Sequence, residues 1–88
     1  ERWRGQAGEV DLIFNVGPEV VFVEVKKARR FSDAAQRLSQ RQQERICLAA
    51  EEYIGGLPRG SLTPMRVDAA LVNGEGEVRI LENAINHM

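Results

Sequence analysis

Sulfur and imidazole chemistry are almost absent from this 88-residue sequence. Cysteine occurs once, at Cys47, so no disulfide can close within the chain and a reducing compartment, the cytoplasm, is expected. Histidine also occurs once, at His87, which excludes a histidine-rich metal cluster. No apolar run approaches the roughly 20 residues that a membrane helix needs. The opening ERWRGQAGEV is charged and lacks an apolar stretch, so neither a membrane partner nor a secretory leader is expected. Neither sign of charge dominates: 12 Lys and Arg against 13 Asp and Glu leave −1, which makes no general case for nucleic acid. Nothing matches a phosphate-cradling glycine loop, since Gly74 and Gly76 read as turn residues.

What is present is an ordinary globular composition, 43% hydrophobic, in a length that allows one domain over residues 1–88. A chain this short buries only about 60–65% of its unfolded surface, so a lone core is marginal. Charge is unevenly spread. From Lys26 to Arg45 seven cations face two anions, leaving that stretch at +5 and the remainder at −6. Such asymmetry can raise a positive lobe on a nearly neutral protein, although a solvated helix face gives the same count.

Gly8 to Phe14 alternates polar and apolar residues and reads as a strand; Asn15 to Pro18 is a turn cluster; Val20 to Lys26 is β-branched and reads as an antiparallel partner. A four-residue loop over Val16 to Glu19 pairs Asn15 with Val20, and counting outward pairs Phe14 with Val21, Leu12 with Val23 and Val10 with Val25. That face is apolar throughout and is expected to be buried. The other face pairs Ile13 with Phe22, Asp11 with Glu24 and Glu9 with Lys26, the last as a cross-strand ion pair. Ser32 is a credible N-cap for one helix from Asp33 to about Ile54, with Arg37, Arg41 and Arg45 on one face and Gln42 the polar interruption of the apolar stripe. Gly55-Gly56 ends it, and Arg66 to Val72 and Glu77 to Leu81 read as strands joined through Asn73-Gly74. The expected order is β-β-α-β-β: an α/β fold with a mixed sheet flanked by helix.

The pair Asp11 and Glu24 carries the chemistry. Directly opposed side chains have Cβ atoms about 4.5–5.5 Å apart, and two carboxylates at about 5 Å repel by about 3 kcal/mol at an effective dielectric near 20. Lys26, on the same face as Glu24, offsets part of this. A divalent cation does so better, and Mg²⁺ or Mn²⁺ prefers a few carboxylate oxygens with water and phosphate oxygens. Lys26 would then serve the attacking water. A solvent-facing hairpin decorated with charge is the competing reading, and the apolar Ile13 and Phe22 beside the pair argue against full exposure.

GEVDLI, a short turn and VFVEVKKARR together resemble the Asp…(Asp/Glu)-x-Lys signature of the PD-(D/E)xK nucleases, and more narrowly the YraN-like family of small bacterial proteins related to Holliday junction resolvases. The similarity continues through RLSQRQQERICLAAEEYI, MRVDAALV and ENAI, nearly the whole chain. The resemblance implies a restriction-endonuclease-like mixed sheet, metal on Asp11 and Glu24, Lys26 as the catalytic lysine, and a helical glutamine at the site, nearest matched by Gln42 with Gln43 as the alternative. Two departures stand out. Glu24-Val25-Lys26-Lys27-Ala28 replaces the usual EVKTR, and the acidic helix that normally precedes the strand-opening segment resembled by Trp3-Arg4 is missing from this sequence.

The expected function is therefore divalent-metal-dependent, junction-resolvase-like cleavage of DNA, possible branched substrates included, with Lys27, Arg29, Arg30, Arg37 and Arg41 gripping phosphates. The alternative is a nucleic-acid-binding module that keeps the fold without cleavage. A homodimer would suit a four-fold branched substrate. Cys47 and Trp3 are expected to pack in the core, and Asp68 to be a surface strand residue.

Overall fold

The computed structural model describes residues 3–6 and 8–85, so His87 lies outside the described residues. Two short strands, β1 (Trp3–Arg4) and β2 (Glu9–Val10), pair antiparallel as a separate ribbon. A four-stranded mixed sheet follows, built from β3 (Leu12–Val16), β4 (Glu19–Lys27), β5 (Met65–Val72) and β6 (Val78–Leu81) in that spatial order. β4 runs antiparallel to β3 and parallel to β5, and β6 returns antiparallel. The parallel step requires a crossover. It is made by α1 (Phe31–Gln36), α2 (Gln40–Gly55) and a 3₁₀ turn at Gly60–Leu62.

The first hairpin has the register expected from its alternation: Leu12 opposes Val23, Ile13 opposes Phe22, Phe14 opposes Val21 and Asn15 opposes Val20. Pairing runs one step further, to Val16 and Glu19, which leaves Gly17-Pro18 at the tip with Gly17 at φ +61°, a conformation that favours glycine. The single strand expected over Gly8 to Phe14 is instead divided by a bend at Asp11 into β2 and β3.

That division moves the core. The larger cluster lies on the Ile13–Phe22 side, where Phe22, Val20 and Val67 of the sheet meet Ile46, Cys47, Ala49, Ala50 and Ile54 of α2, with Trp3 and Tyr53 packed against it. Val10, expected on the Phe14 side, is fully buried in this cluster instead, because the bend reverses the alternation. The face expected to be wholly buried is a smaller cluster of Val21, Val23 and Ala70, with Leu12 and Val25 partly covered and Phe14 48% exposed. Trp3 meets Tyr53 edge-on at 5.4 Å and Phe22 meets Tyr53 edge-on at 5.6 Å, which docks β1 against α2. Cys47 is a core residue, and burial raises its thiol pKa above the ordinary value.

The single helix expected from Asp33 to Ile54 is two. α1 starts after Arg30 with no side-chain cap, so Ser32 does not fill that role, and it closes at Arg37. Ser39 caps α2, its Oγ accepting from the Gln42 N–H at 3.1 Å. The interruption separates Arg37 from Arg41 and Arg45, so the three do not share one helix face. Asp68 is also corrected. It is only 3% exposed, takes two hydrogen bonds from Arg66 at 2.9 and 3.0 Å and accepts the Asn83 N–H at 2.8 Å, tying the segment after β6 to β5. No helix among the described residues is long and apolar enough to cross a membrane.

Because Ser39 satisfies an amide of the first turn of α2, Ser39→Ala is expected to cost about 1 kcal/mol. Urea unfolding followed by circular dichroism measures it.

Candidate active site

The bend at Asp11 is held by its own side chain: Asp11 Oδ2 accepts the Val25 N–H at 2.9 Å. The carboxylate substitutes for a backbone acceptor beyond the end of the β3–β4 pairing and brings its charge beside Glu24 on β4. Glu24 is 5% exposed among core residues. Its Oε2 accepts from Lys26 Nζ at 3.1 Å and from Gln42 Nε2 at 3.2 Å, while its Oε1 is buried without a hydrogen-bond partner.

Gln42 reaches Glu24 because of how α2 begins. Ser39 and Gln42 have the spacing of a capping box, in which the glutamine side chain turns back to the cap residue. Here only half of that box forms. The Gln42 amide N–H bonds Ser39, and its side chain goes across to Glu24. Gln43, the other candidate, donates to the Leu38 carbonyl at 2.9 Å. The polar interruption in the apolar stripe of the helix is thus the residue that meets the buried carboxylate.

These side chains line a cleft of about 390 Å³ between the β1–β2 ribbon, β4 and α2, bounded by Arg4, Gly5, Gly8, Glu9, Asp11, Glu24, Lys26, Gln42, Arg45 and Ile46. The cations at this cleft are Arg4, Lys26 and Arg45. Lys27, Arg29, Arg30, Arg37 and Arg41 do not line it. Lys27 borders a separate hollow of about 480 Å³ with Asp11, Leu12 and Val25, so Asp11 lies where the two hollows meet. Arg29 and Arg30 are exposed in the link before α1, Arg37 closes α1 and Arg41 is exposed in the first turn of α2. The expected Glu9–Lys26 pair is replaced by two others, Glu9 with Arg4 at 3.3 Å and Lys26 with Glu24. The ribbon carries Glu9 away from β4, leaving Lys26 to its same-face neighbour. Arg4, Glu9 and Arg45 were not singled out for the site by sequence. The Arg4–Glu9 pairing depends on a ribbon that the sequence did not announce, and the position of Arg45 depends on where the helix breaks.

Burial chiefly raises the Glu24 pKa above the ordinary 4.5, and the adjacent Asp11 carboxyl adds to this; Lys26 pulls it the other way. Glu24 therefore holds a proton more readily than an ordinary carboxyl group. An unpartnered buried carboxylate oxygen beside a second carboxylate provides hard oxygen donors of the kind a small divalent cation takes. Among the described residues no group of three or more His, Cys, Asp or Glu side chains comes together to hold a metal, so water or substrate oxygens would complete the coordination.

Without bound cation, a Glu24 pKa raised above the unfolded value means that the folded chain holds a proton the unfolded chain has released at pH values just above 4.5. The stabilisation is fully present below the unfolded pKa and is lost as pH rises through the folded pKa. Glu24→Gln, neutral at every pH, is expected to lose this part of the pH dependence. Thermal melts of both proteins in chelator from pH 4 to 8 measure the difference.

The sequence matches the uncharacterised protein family UPF0102 over residues 1–72. It is 55% identical over 86 residues to a UPF0102 protein of Ruegeria pomeroyi, spanning 98% of this chain and 70% of that protein. A UPF0102 protein of Cereibacter sphaeroides is 57% identical over 83 residues, spanning 94% of this chain and 71% of that one. One from Roseobacter denitrificans is 51% identical over 86 residues, 98% of this chain and 67% of its own.

Proposed function

This chain belongs to the UPF0102 family, whose description assigns no activity, and from the geometry of its cleft we propose that it is a divalent-metal-dependent phosphodiester hydrolase of the PD-(D/E)xK type acting on DNA. The observation that carries this reading is Glu24: a carboxylate 5% exposed, with one oxygen held by Lys26 and Gln42 and the other unpartnered, beside Asp11. Burying a charged group without a full set of partners is costly, and a cation-binding role accounts for the cost. The mixed sheet with its helical crossover is compatible with a restriction-endonuclease-like fold, which is part of the same proposal.

Asp11 and Glu24 would hold Mg²⁺ or Mn²⁺. Such a cation, when bound, supplies Lewis-acid polarisation of a phosphoryl oxygen and a lower pKa for water. The protein's own residues do the rest. The hydrogen bond to Val25 N–H fixes one Asp11 oxygen, and Gln42 fixes the rotamer of Glu24. Lys26 Nζ, on the same edge as the carboxylates, orients the attacking water and offsets negative charge that grows on the phosphate. Arg4, Lys26 and Arg45 offset the charges of Glu9, Asp11 and Glu24 at the cleft, which lowers the repulsion a polyanion meets there.

A second reading, a nucleic-acid-binding module without cleavage, is favoured by one observation: only two carboxylates meet, and no third ligating side chain joins them among the described residues. Isothermal titration of Mn²⁺ separates the two. Binding to the wild-type chain, with at least tenfold loss in Asp11→Asn and Glu24→Gln, is expected, together with Mn²⁺-dependent nicking of branched or nicked DNA that Glu24→Gln abolishes. DNA binding without Mn²⁺ binding selects the second reading, and full cleavage by Glu24→Gln defeats the site assignment.

A further inference from the structure

Arg45 differs from the other cations of the cleft. Lys26 is held by Glu24, and Arg4 is held by Glu9. Arg45 lines the same cleft, yet no ion pair or side-chain hydrogen bond engages it among the described residues. It stands on α2 three residues beyond Gln42, so the two project from neighbouring positions of one helix face toward the cleft.

Its stem is also placed. Gly8, just before β2, lies under the Arg45 side chain: a Cβ at that position would come within 3.2 Å of Arg45 Cγ and 3.6 Å of Cδ. Residue 8 sits at φ +155°, a backbone conformation that favours glycine, and the first distance is tighter than ordinary packing, so a side chain there would also push the arginine stem by a few tenths of an ångström.

We infer that Arg45 is the phosphate-anchoring residue of this cleft, its guanidinium taking the non-bridging oxygens of a phosphodiester and presenting that group to Asp11, Glu24 and Lys26. This rests on the phosphodiester reading of the site. The chemistry favours arginine here: a planar guanidinium offers a rigid fork of donors that matches two phosphate oxygens, whereas lysine offers a point charge. With no carboxylate to release, Arg45 engages a phosphate without first breaking an ion pair, unlike Arg4. It is a substrate-binding group distinct from the basic stretch at Lys27 to Arg41, none of which lines the cleft. It also places the anchor on the same helix as Gln42, so one rigid element positions both the metal-side carboxylate and the phosphate.

The test measures binding of a fluorescein-labelled DNA oligonucleotide, in duplex and four-way-junction forms, by anisotropy across a salt series, alongside Mn²⁺ calorimetry on the same proteins. Arg45→Ala is expected to weaken DNA binding about tenfold, the scale of a charge-assisted hydrogen bond, and to reduce the salt slope by about one phosphate contact. Its Mn²⁺ affinity is expected not to fall, since a nearby positive charge has been removed. Arg45→Lys is expected to restore the slope and only part of the affinity. Unchanged DNA affinity and salt slope in Arg45→Ala, with Mn²⁺ binding intact, would overturn the role of Arg45 and leave the hydrolase reading standing. Failure of the wild-type chain to bind Mn²⁺, with Arg45-dependent DNA affinity intact, would overturn the metal chemistry and leave the anchor standing. Failure of the wild-type chain to bind DNA overturns both.

Discussion

The hydrogen bond from the Val25 N–H to Asp11 Oδ2 sets the course of the first third of the chain. A continuous strand from Gly8 to Phe14 would leave Val10 on the Phe14 side of the sheet, by simple alternation. The bend that this carboxylate holds turns Val10 into the main core and lifts the β1–β2 ribbon off the sheet. It thereby opens the cleft whose wall the ribbon forms. One side chain thus satisfies a backbone donor and also sets a second carboxylate beside Glu24. Deleting it leaves a backbone donor near the core without its partner, which is costly in a partly buried setting.

The consequences concentrate on Glu24. Parallel pairing with β5 surrounds it with Ala69 and core residues, so it loses most of its hydration, and the Asp11 carboxyl nearby disfavours its charged form further. Lys26 and Gln42 recover part of the cost through one oxygen. The other oxygen has no partner while Glu24 is charged, and a proton shared with Asp11 would supply one. Asp68, the other buried acid, shows what a wholly structural carboxylate looks like in this fold. Both of its oxygens are engaged by Arg66, and Oδ1 also accepts the Asn83 N–H, with Glu19 and Glu82 close enough to share the same guanidinium. The two acids are alike in burial and unlike in hydrogen bonding: Asp68 is fully engaged, and Glu24 as a carboxylate is not.

Helix α2 connects core and cleft. Its inward face, Ile46, Ala49, Ala50 and Ile54, fills the sheet, and its capped first turn delivers Gln42. The break before Ser39 matters because it fixes which arginines share the rotation of that helix: Arg45 enters the cleft and Arg37 belongs to another element.

Much of this was legible in the sequence. β-Branched alternation specified the hairpin register, because a slip of one residue would have placed Asp11 among the valines. The turn residues Gly17 and Asn73 marked where strands reverse, and the spacing of apolar residues marked the inward face of α2. That register accounts for Glu24 and Lys26 on one face of β4, whereas the expected Asp11–Glu24 cross-strand pair is not part of it: Asp11 lies in the bend beyond the paired residues and is brought beside Glu24 by its side-chain bond to Val25 N–H. What local pattern left undecided were choices between near-equal alternatives. A carboxylate or a carbonyl could serve Val25 N–H, Ser32 or Ser39 could cap a helix, Asp68 could face water or Arg66, and any of several arginines could reach the cleft. Each depends on contacts between segments distant in sequence, where burial changes the free energy of a polar group by more than local propensity does, and only the assembled tertiary structure decided them.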